Sequence, residues 1–285
     1  MFGEILDRAA SDPKWASLRL EASIELASVL MGREETDQAQ RVASQALVDA
    51  EADGLHRSAK AAVLMITLGG LAMDRGDFGE AEDWLRQALA LQDSILGPEH
   101  SESLFTRSSL AMVLGNTNRL DEALPILFEC VEVCRRRELR VDLASTLLHL
   151  SEQLLNAGRA AEVAEPVEEA IEVAEELYGE DCFLAVRGRE NLGRAALARG
   201  RLGEAVAYFE RALAAADASP DTPESIRLRI AIQCAECELF LGNKESARDI
   251  AREVLEESGL LEAESIPVDS GVTRRARWIL EHRRE

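Results

Sequence analysis

The stretch Gly-Asp-Phe-Gly-Glu-Ala at residues 76–81 recurs in altered form along the chain. Its last residue belongs to a column of small side chains with a nearly constant interval of about 40 residues, namely Ala39, Ala81, Ala123, Val163, Ala205 and Ala247. A second column precedes it at a fixed offset: Ala27, Gly69, Ala111, Ser151, Gly193 and Ala235. Antiparallel helices cross closely only where side chains are small, so two small columns with one period predict a series of helical hairpins.

Turn residues keep the same register. Shortly before most members of the first column stand Gly76, Asn118, Gly158, Gly200 and Gly242. Glycine and asparagine tolerate the left-handed backbone conformation that commonly ends a helix. These positions are therefore predicted to reverse the chain between the two helices of each hairpin.

The turn sequences resemble those of tetratricopeptide repeats. Residues 200–205 (Gly-Arg-Leu-Gly-Glu-Ala) and 118–123 (Asn-Arg-Leu-Asp-Glu-Ala) follow the pattern of residues 76–81. The period exceeds the common length of about 34 residues, and Leu-Gly-Pro-Glu-His at 96–100 is similar to the joint between kinesin-light-chain-like repeats. The resemblance implies an all-α fold, namely a right-handed superhelical solenoid of about six antiparallel hairpins plus a C-terminal capping helix.

We expect one continuous domain, because a solenoid has no single central core. Residues 1–12 are predicted to form an N-terminal helical cap, 13–258 six repeats and 270–285 the C-terminal capping helix, for which a basic recognition helix is the alternative. The beginning of the chain has neither the basic start nor the apolar run of a secretory signal. Because no stretch approaches the roughly 20 apolar residues of a membrane span, a cytoplasmic location is predicted.

The charge of the chain favours a protein partner over nucleic acid. A formal net charge of −21 disfavours both nucleic acid and anionic membranes as main partners. Residues 160–181 contain nine carboxylates and neither lysine nor arginine. This segment is either a solvated outer helix face or a contact for a basic partner.

Groups suited to chemistry are few. Cys234 and Cys237 have the spacing of a metal or redox pair, but no second pair completes a zinc site in the sequence. We therefore expect reduced core thiols and no metal. His149 and Glu152 share a helix face and are candidates for an acid and a base. No nucleophile, oxyanion donor or phosphate loop accompanies them, so we expect neither enzyme activity nor a cofactor.

A partner is expected on the inner surface of the solenoid, which the first helix of each hairpin forms. The register predicts thirteen groove residues there: Val63, Ile66, Phe105, Met112, Asn116, His149, Glu152, Asn156, Arg187, Asn191, Arg194, Arg229 and Gln233. The first four are apolar, whereas cationic and amide side chains dominate toward the C-terminal side. Residues four apart share a helix face, as Arg187 does with Asn191 and Arg229 with Gln233.

This arrangement resembles the carboxylate clamp of chaperone-binding tetratricopeptide domains, in which basic and amide side chains of successive first helices hold a terminal carboxylate. The resemblance implies a partner segment with acidic residues or a free C-terminal carboxylate. Arginine replaces the lysine of that clamp, and Gln233 replaces its second asparagine. The alternative is a set of intramolecular pairs along the groove, for which Glu190 and Glu236 are the candidate partners.

The sequence thus predicts a non-catalytic adaptor that binds a segment of another protein in its concave groove, with neither nucleic acid nor membrane insertion involved. The first alternative is a regulatory sensor module that changes conformation on binding a peptide and controls an effector protein. A catalytic subunit that uses His149 and Glu152 is the second alternative.

Overall fold

The computed structural model describes residues 13–33, 35–219, 221–263 and 270–281, and within them the regular structure is helical without strands. The chain divides into two compact units, residues 1–133 and 134–285. The first unit contains α1 (Ala16–Gly32), α2 (Thr36–Ala52), α3 (Ala59–Asp74), α4 (Phe78–Ile95), α5 (Ser101–Asn116) and α6 (Leu120–Arg136), of which the end from Cys134 belongs to the second unit. The second contains α7 (Arg140–Asn156), α8 (Ala164–Tyr178), α9 (Phe183–Ala198), α10 (Leu202–Ala218), α11 (Glu224–Leu241), α12 (Lys244–Ala263) and α13 (Ser270–Glu281).

Each unit is built by packing consecutive helices against one another. In the first unit every helix from α1 to α4 packs on the next one, and α1 also contacts α3. In the second unit the same holds from α7 to α13, with further contacts of α7 with α9 and of α11 with α13. Sequential pairs joined through their first helices are the hairpin repeat that the sequence predicts.

The two small columns lie where the helices cross. All six members of the first column are fully buried, at 0% exposure. A Cβ atom built on Gly193 would lie 2.5 Å from Cε1 of Phe209, and one built on Gly69 would lie 3.1 Å from Cγ of Leu85. Larger side chains at these positions would push the helices apart, which explains why the columns contain small residues.

The predicted turn residues adopt the left-handed backbone that the sequence analysis assigned to them. All five have positive φ, from 62° at Asn118 to 90° at Gly242. Four of them are glycines, which reach this region without steric penalty. The turns between paired helices are therefore confirmed position by position.

The second helix of the fourth hairpin starts late. The other second helices of this register begin before their small anchor, as α10 does at Leu202, but α8 begins at Ala164, just after Val163. A short 3₁₀ turn at Ala160–Glu162 takes the place of its first turn. Pro166 is the third residue of α8 and so lies in its first turn, where a proline is best tolerated because its missing N–H would have no partner within the helix.

An arginine ties the joint between hairpins in two places. Arg107 on α5 donates to the carbonyl oxygen of Pro98 at 2.9 Å and to the carboxylate of Asp93 at 2.8 Å. Arg189 on α9 donates in the same way to the carbonyl of Glu180 at 3.0 Å and to the carboxylate of Glu175 at 2.6 Å. The two arginines occupy the same register position two hairpins apart, and Leu147 holds that position in the hairpin between them.

The last helix lies on the last hairpin. Val272, Ala276 and Ile279 of α13 are buried together with apolar residues of α11 and α12 such as Leu228 and Val254. Terminal repeats need such a cover because one face has no neighbour.

Both predicted caps include residues outside the described part of the chain. The predicted N-terminal cap at 1–12 and the final residues 282–285 lie outside them, and the assignment of 13–258 to one continuous solenoid stays a prediction. No helix in the described part of the chain is both long and apolar enough to cross a bilayer.

Candidate functional site

The apolar part of the predicted groove lies in the first unit. Val63 and Ile66 on α3 are partly exposed, as is Met112 on α5, whereas Phe105 is half exposed and Asn116 is exposed. Phe105, at 50% exposure, is therefore the most exposed apolar side chain among the predicted groove residues.

The polar part of the predicted groove lies in the second unit, on three successive first helices. His149, Glu152 and Asn156 belong to α7, Arg187, Asn191 and Arg194 to α9, and Arg229 and Gln233 to α11. Hydrogen bonds link these side chains across the helices in three groups: Arg187 with Glu152, Asn191 with Ser151 and Arg194, and Glu190 with Arg229 and Gln233. Asn156 is exposed and donates to Gln153 of its own helix at 3.3 Å.

Two of the three arginines on these helices are paired with glutamates on the preceding first helix. Arg187 forms an ion pair with Glu152. Arg229 donates two hydrogen bonds to Glu190, at 3.0 and 2.8 Å, and Gln233 adds a longer one at 3.4 Å. The intramolecular Arg–Glu pairs that the sequence left as an alternative are thus present.

The same type of pair continues to the terminal helix, where Arg275 of α13 contacts Glu236 of α11. In the first unit, Lys60 of α3 contacts Glu21 of α1 at 2.8 Å. Because each pair links one first helix to the one before it, these pairs also hold consecutive hairpins in register.

Asn191 is an interior residue. Its side chain is 2% exposed, and its amide nitrogen donates to the Ser151 hydroxyl at 2.7 Å. Its amide oxygen accepts a hydrogen bond from Arg194 at 3.2 Å. Both ends of the amide are therefore occupied, and Asn191 positions Arg194. Ser151 stands in the second small column, where it is the one hydroxyl side chain, and that hydroxyl is the signal in the sequence for this contact.

Arg194 differs from its two neighbours, because among the described residues its guanidinium forms no ion pair and only the Asn191 hydrogen bond. Burial lowers the pKa of Arg194 and that of Arg187 from their usual value, and the nearby Arg229 adds to this. The charge of Glu190 acts in the opposite direction. An arginine stays protonated nonetheless, so Arg194 is a partly desolvated cation with incomplete compensation.

His149 is held in the neutral form. Burial, with a contribution from Arg187, lowers its pKa to about 4. Its Nδ1 atom is buried and has no hydrogen-bond partner in the described part of the chain. Glu152, the other half of the candidate acid–base pair, is engaged by Arg187. Within the described residues the carboxylate of Glu152 thus pairs with Arg187 while His149 Nδ1 is unpartnered, so no hydrogen bond is seen between this Nδ1 atom and the Glu152 carboxylate.

Matching positions one double hairpin apart show how the two units differ. Phe105 and Met112 of the first unit correspond to Arg187 and Arg194 of the second. The same register position in consecutive double hairpins is therefore apolar in one unit and cationic in the other. Side chains on this face vary while the helix crossings are kept, which is typical of a surface that serves recognition.

The cysteines pack as core residues. Cys234 and Cys237 are buried, and burial raises the pKa of their thiols to about 12 and about 11. A thiol with a raised pKa is a poor nucleophile and a poor metal ligand. Over the described ranges, no cluster of histidine, cysteine and carboxylate side chains is arranged to hold a metal ion.

The acidic segment 160–181 is partly neutralised by arginines of the second unit. Arg189 pairs with Glu175, Arg135 with Glu169 and Arg140 with Glu176. These contacts use several of the nine carboxylates for packing between helices, and the choice between a solvated face and a contact for a basic partner stays open.

The fold and the surface define a helical-hairpin repeat protein with ion-paired first helices. The tetratricopeptide repeat family model matches residues 60–136 and 142–218, which is more than half of the chain. The chain belongs to the tetratricopeptide repeat family. A comparison with curated protein sequences gave no significant match.

Three solved structures illustrate the likeness. A variant of nearly identical TPR-like repeats from a Podospora anserina protein described as a kinesin light chain is 20% identical, with 73% of this chain and 98% of that chain covered and a TM-score of 0.58. NprR in complex with its cognate peptide NprX is 12% identical, with 92% and 71% covered and a TM-score of 0.63. A Rap protein complexed with Competence and Sporulation Factor is 14% identical, with 98% and 77% covered and a TM-score of 0.67. At these identities the likeness concerns the fold.

Proposed function

We propose that this chain is a non-catalytic adaptor that binds a segment of another protein through the exposed faces of its first helices. Tetratricopeptide repeats generally bind proteins and are usually non-catalytic. In the first unit the face around Phe105 takes apolar side chains, and in the second unit Arg194 takes a carboxylate.

The observation that carries this proposal is the state of Arg194. The second-unit cluster contains three arginines, Arg187, Arg194 and Arg229, and two carboxylates, Glu152 and Glu190. One positive charge is left over. A cation that is partly desolvated and incompletely paired gains from a ligand carboxylate, because a charge-assisted hydrogen bond contributes about 1.5–3 kcal/mol.

This site differs from a clamp in which several cations are left for the ligand to pair with. Arg187 and Arg229 hold glutamates of the chain itself, and Asn191 is buried. These three residues surround Arg194, whereas Arg194 itself contacts the ligand carboxylate. A carboxylate side chain or a free C-terminus satisfies this requirement equally well.

A second candidate function is a sensor module that changes conformation when it binds a peptide. On a similar fold, the NprR structure contains its cognate peptide NprX and the Rap structure contains Competence and Sporulation Factor. In this chain the ion pairs between successive first helices are contacts that a bound anion would weaken, so peptide binding would alter how neighbouring hairpins of the second unit pack.

A peptide array tests the adaptor proposal. Immobilised peptides with acidic residues, each made with a free and with an amidated C-terminus, are probed with the full chain. The tightest peptide is then measured in solution by fluorescence polarisation against Arg194→Gln and against Arg201→Gln, which changes an exposed arginine paired with Glu204 on a turn. We expect Arg194→Gln alone to weaken binding by roughly tenfold or more.

Salt provides the second criterion. The contact at Arg194 should weaken as the salt concentration rises, whereas the loss caused by Phe105→Ala should depend little on salt. If Arg194→Gln and the parent bound the peptide equally at low salt, the proposed carboxylate site at Arg194 would be wrong. If no peptide bound at all, the adaptor proposal would be wrong.

A further inference from the structure

Glu190 is the centre of the arginine cluster. Its side chain is 3% exposed, and its carboxylate accepts hydrogen bonds from Arg229 at 3.0 and 2.8 Å and from Gln233 at 3.4 Å. Its charge also acts on Arg187 and Arg194. One buried and fixed carboxylate therefore faces all three arginines of the cluster.

The balance of charge decides which anion the cluster accepts. Three arginines against Glu152 and Glu190 leave one net positive charge, since His149 is neutral. A carboxylate ligand brings that sum to zero. A phosphoryl group, which carries about −1.5 to −2 charges at neutral pH, leaves an excess of negative charge beside two carboxylates. Like charges within about 4–6 Å disfavour one another, and a partly buried site is poorly screened.

We propose that Glu190 is a specificity-determining residue that restricts the anion site at Arg194 to groups with a single negative charge, such as a peptide carboxylate, and excludes phosphoryl groups. The inference rests on the proposed function in that it concerns the same site. Glu152, which pairs with Arg187 and is more exposed at 16%, acts in the same sense. Without these two carboxylates the same arginines would form a phosphate site.

Inorganic phosphate is the probe that tests this inference. Its affinity is measured by isothermal titration calorimetry at about pH 8, where phosphate is a dianion, with sodium acetate as the monoanionic comparison and the ionic strength held constant. The proteins are the parent full-length chain, Glu190→Gln and the control Glu236→Gln. The control removes the carboxylate of the equivalent pair between α11 and α13, with Arg275 as its partner.

We expect Glu190→Gln to bind phosphate roughly tenfold more tightly than the parent, or better, because one charge at this range shifts a neighbouring ionisation by about one to three pKa units. Glu236→Gln should bind phosphate as the parent does. Glu152→Gln is the second variant, since its more exposed position makes folding less sensitive to the change, and it should show a gain in the same direction. Equal phosphate affinity in the parent, Glu190→Gln and Glu152→Gln would overturn the inference.

The outcome is separable from that of the peptide experiment. If no peptide binds but Glu190→Gln gains phosphate affinity, the adaptor proposal fails and the selection of anion charge stands. If peptides bind through Arg194 but neither glutamate variant gains phosphate affinity, the adaptor proposal stands and Glu190 has only a structural role.

Discussion

Replacing Gly193 with alanine tests the helix crossing on which the whole register depends. The new Cβ atom would lie 2.5, 2.7 and 2.9 Å from Cε1, Cδ1 and Cζ of the Phe209 ring. Carbon atoms pack at roughly 3.5–4.0 Å, so the overlap is about 1 Å. Phe209 is fully buried in a cluster with Ala205 and Ile230, and its ring can therefore move only by displacing its neighbours.

Two opposing terms set the size of the effect. Overpacking a core costs about 1–3 kcal/mol, whereas alanine in place of a glycine inside a helix stabilises by roughly 0.5–1 kcal/mol. The difference leaves Gly193→Ala lowering the free energy of unfolding by up to about 2.5 kcal/mol. Gly69→Ala should cost less, since the flexible Leu85 side chain lies 3.1 Å away. Gly70→Ala, which meets no atom within 4 Å, should stabilise.

Urea unfolding followed by circular dichroism measures this series through the midpoint, at an unchanged m-value. The double variant Gly193→Ala/Phe209→Leu should be more stable than the sum of its two single changes, because the smaller side chain makes room for the new methyl group. If Gly193→Ala and Gly70→Ala shifted the midpoint equally, the close crossing of α9 and α10 would be refuted, together with the groove positions derived from it.

Three further predictions concern contacts of the second unit. The pKa of His149 is about 4 in the folded chain and about 6.5 in the unfolded chain. Burying the neutral imidazole therefore costs no stability through protonation above pH 6.5, and the free energy of unfolding falls as the pH drops from 6.5 toward 4. The loss is at most about 3 kcal/mol, so His149→Gln should flatten the pH dependence of urea midpoints over this range, and parallel profiles would contradict it. Truncation before Val272 should speed hydrogen exchange of residues 244–258, and unchanged protection would make α13 dispensable as a cover. Arg189→Gln, which leaves Glu175 without its partner, should destabilise by about 1–3 kcal/mol and speed exchange at the joint before α9, whereas parent-like exchange there would show that the joint does not depend on this arginine.

The fold was predictable because small residues and turn residues act locally and repeat. Gly200 lies at the turn and Ala205 at the close crossing, and both roles follow from their place in the repeat, since Gly69 and Gly193 at the other small column lie inside helices. The repeat also multiplies each signal, so that errors at one position are corrected by the others. The family, the all-helical architecture and the sequential pairing of helices are confirmed on these grounds.

The site was predictable only in part. The register brought the second-unit groove residues to one face, but it did not show which arginines hold a partner within the chain. That depends on distances between residues on different hairpins, such as Arg187 and Glu152. Burial of Asn191 was also missed, because it depends on the hydroxyl of Ser151 across the helix interface. The groove residues themselves stay predictions until a ligand is found.

The arginine-tied joints have a consequence for how such a chain can be lengthened. Arg107 and Arg189 each need a carboxylate at a fixed distance earlier in the sequence and a carbonyl group of the preceding joint, and the hairpin between them has Leu147 at the corresponding position. Duplicating a single hairpin would either separate an arginine from the carboxylate and carbonyl of its joint or place two arginine-tied joints next to each other. Duplicating a pair preserves every match. Growth of this scaffold, whether by tandem duplication or by engineering for a longer partner, should therefore proceed in steps of two hairpins.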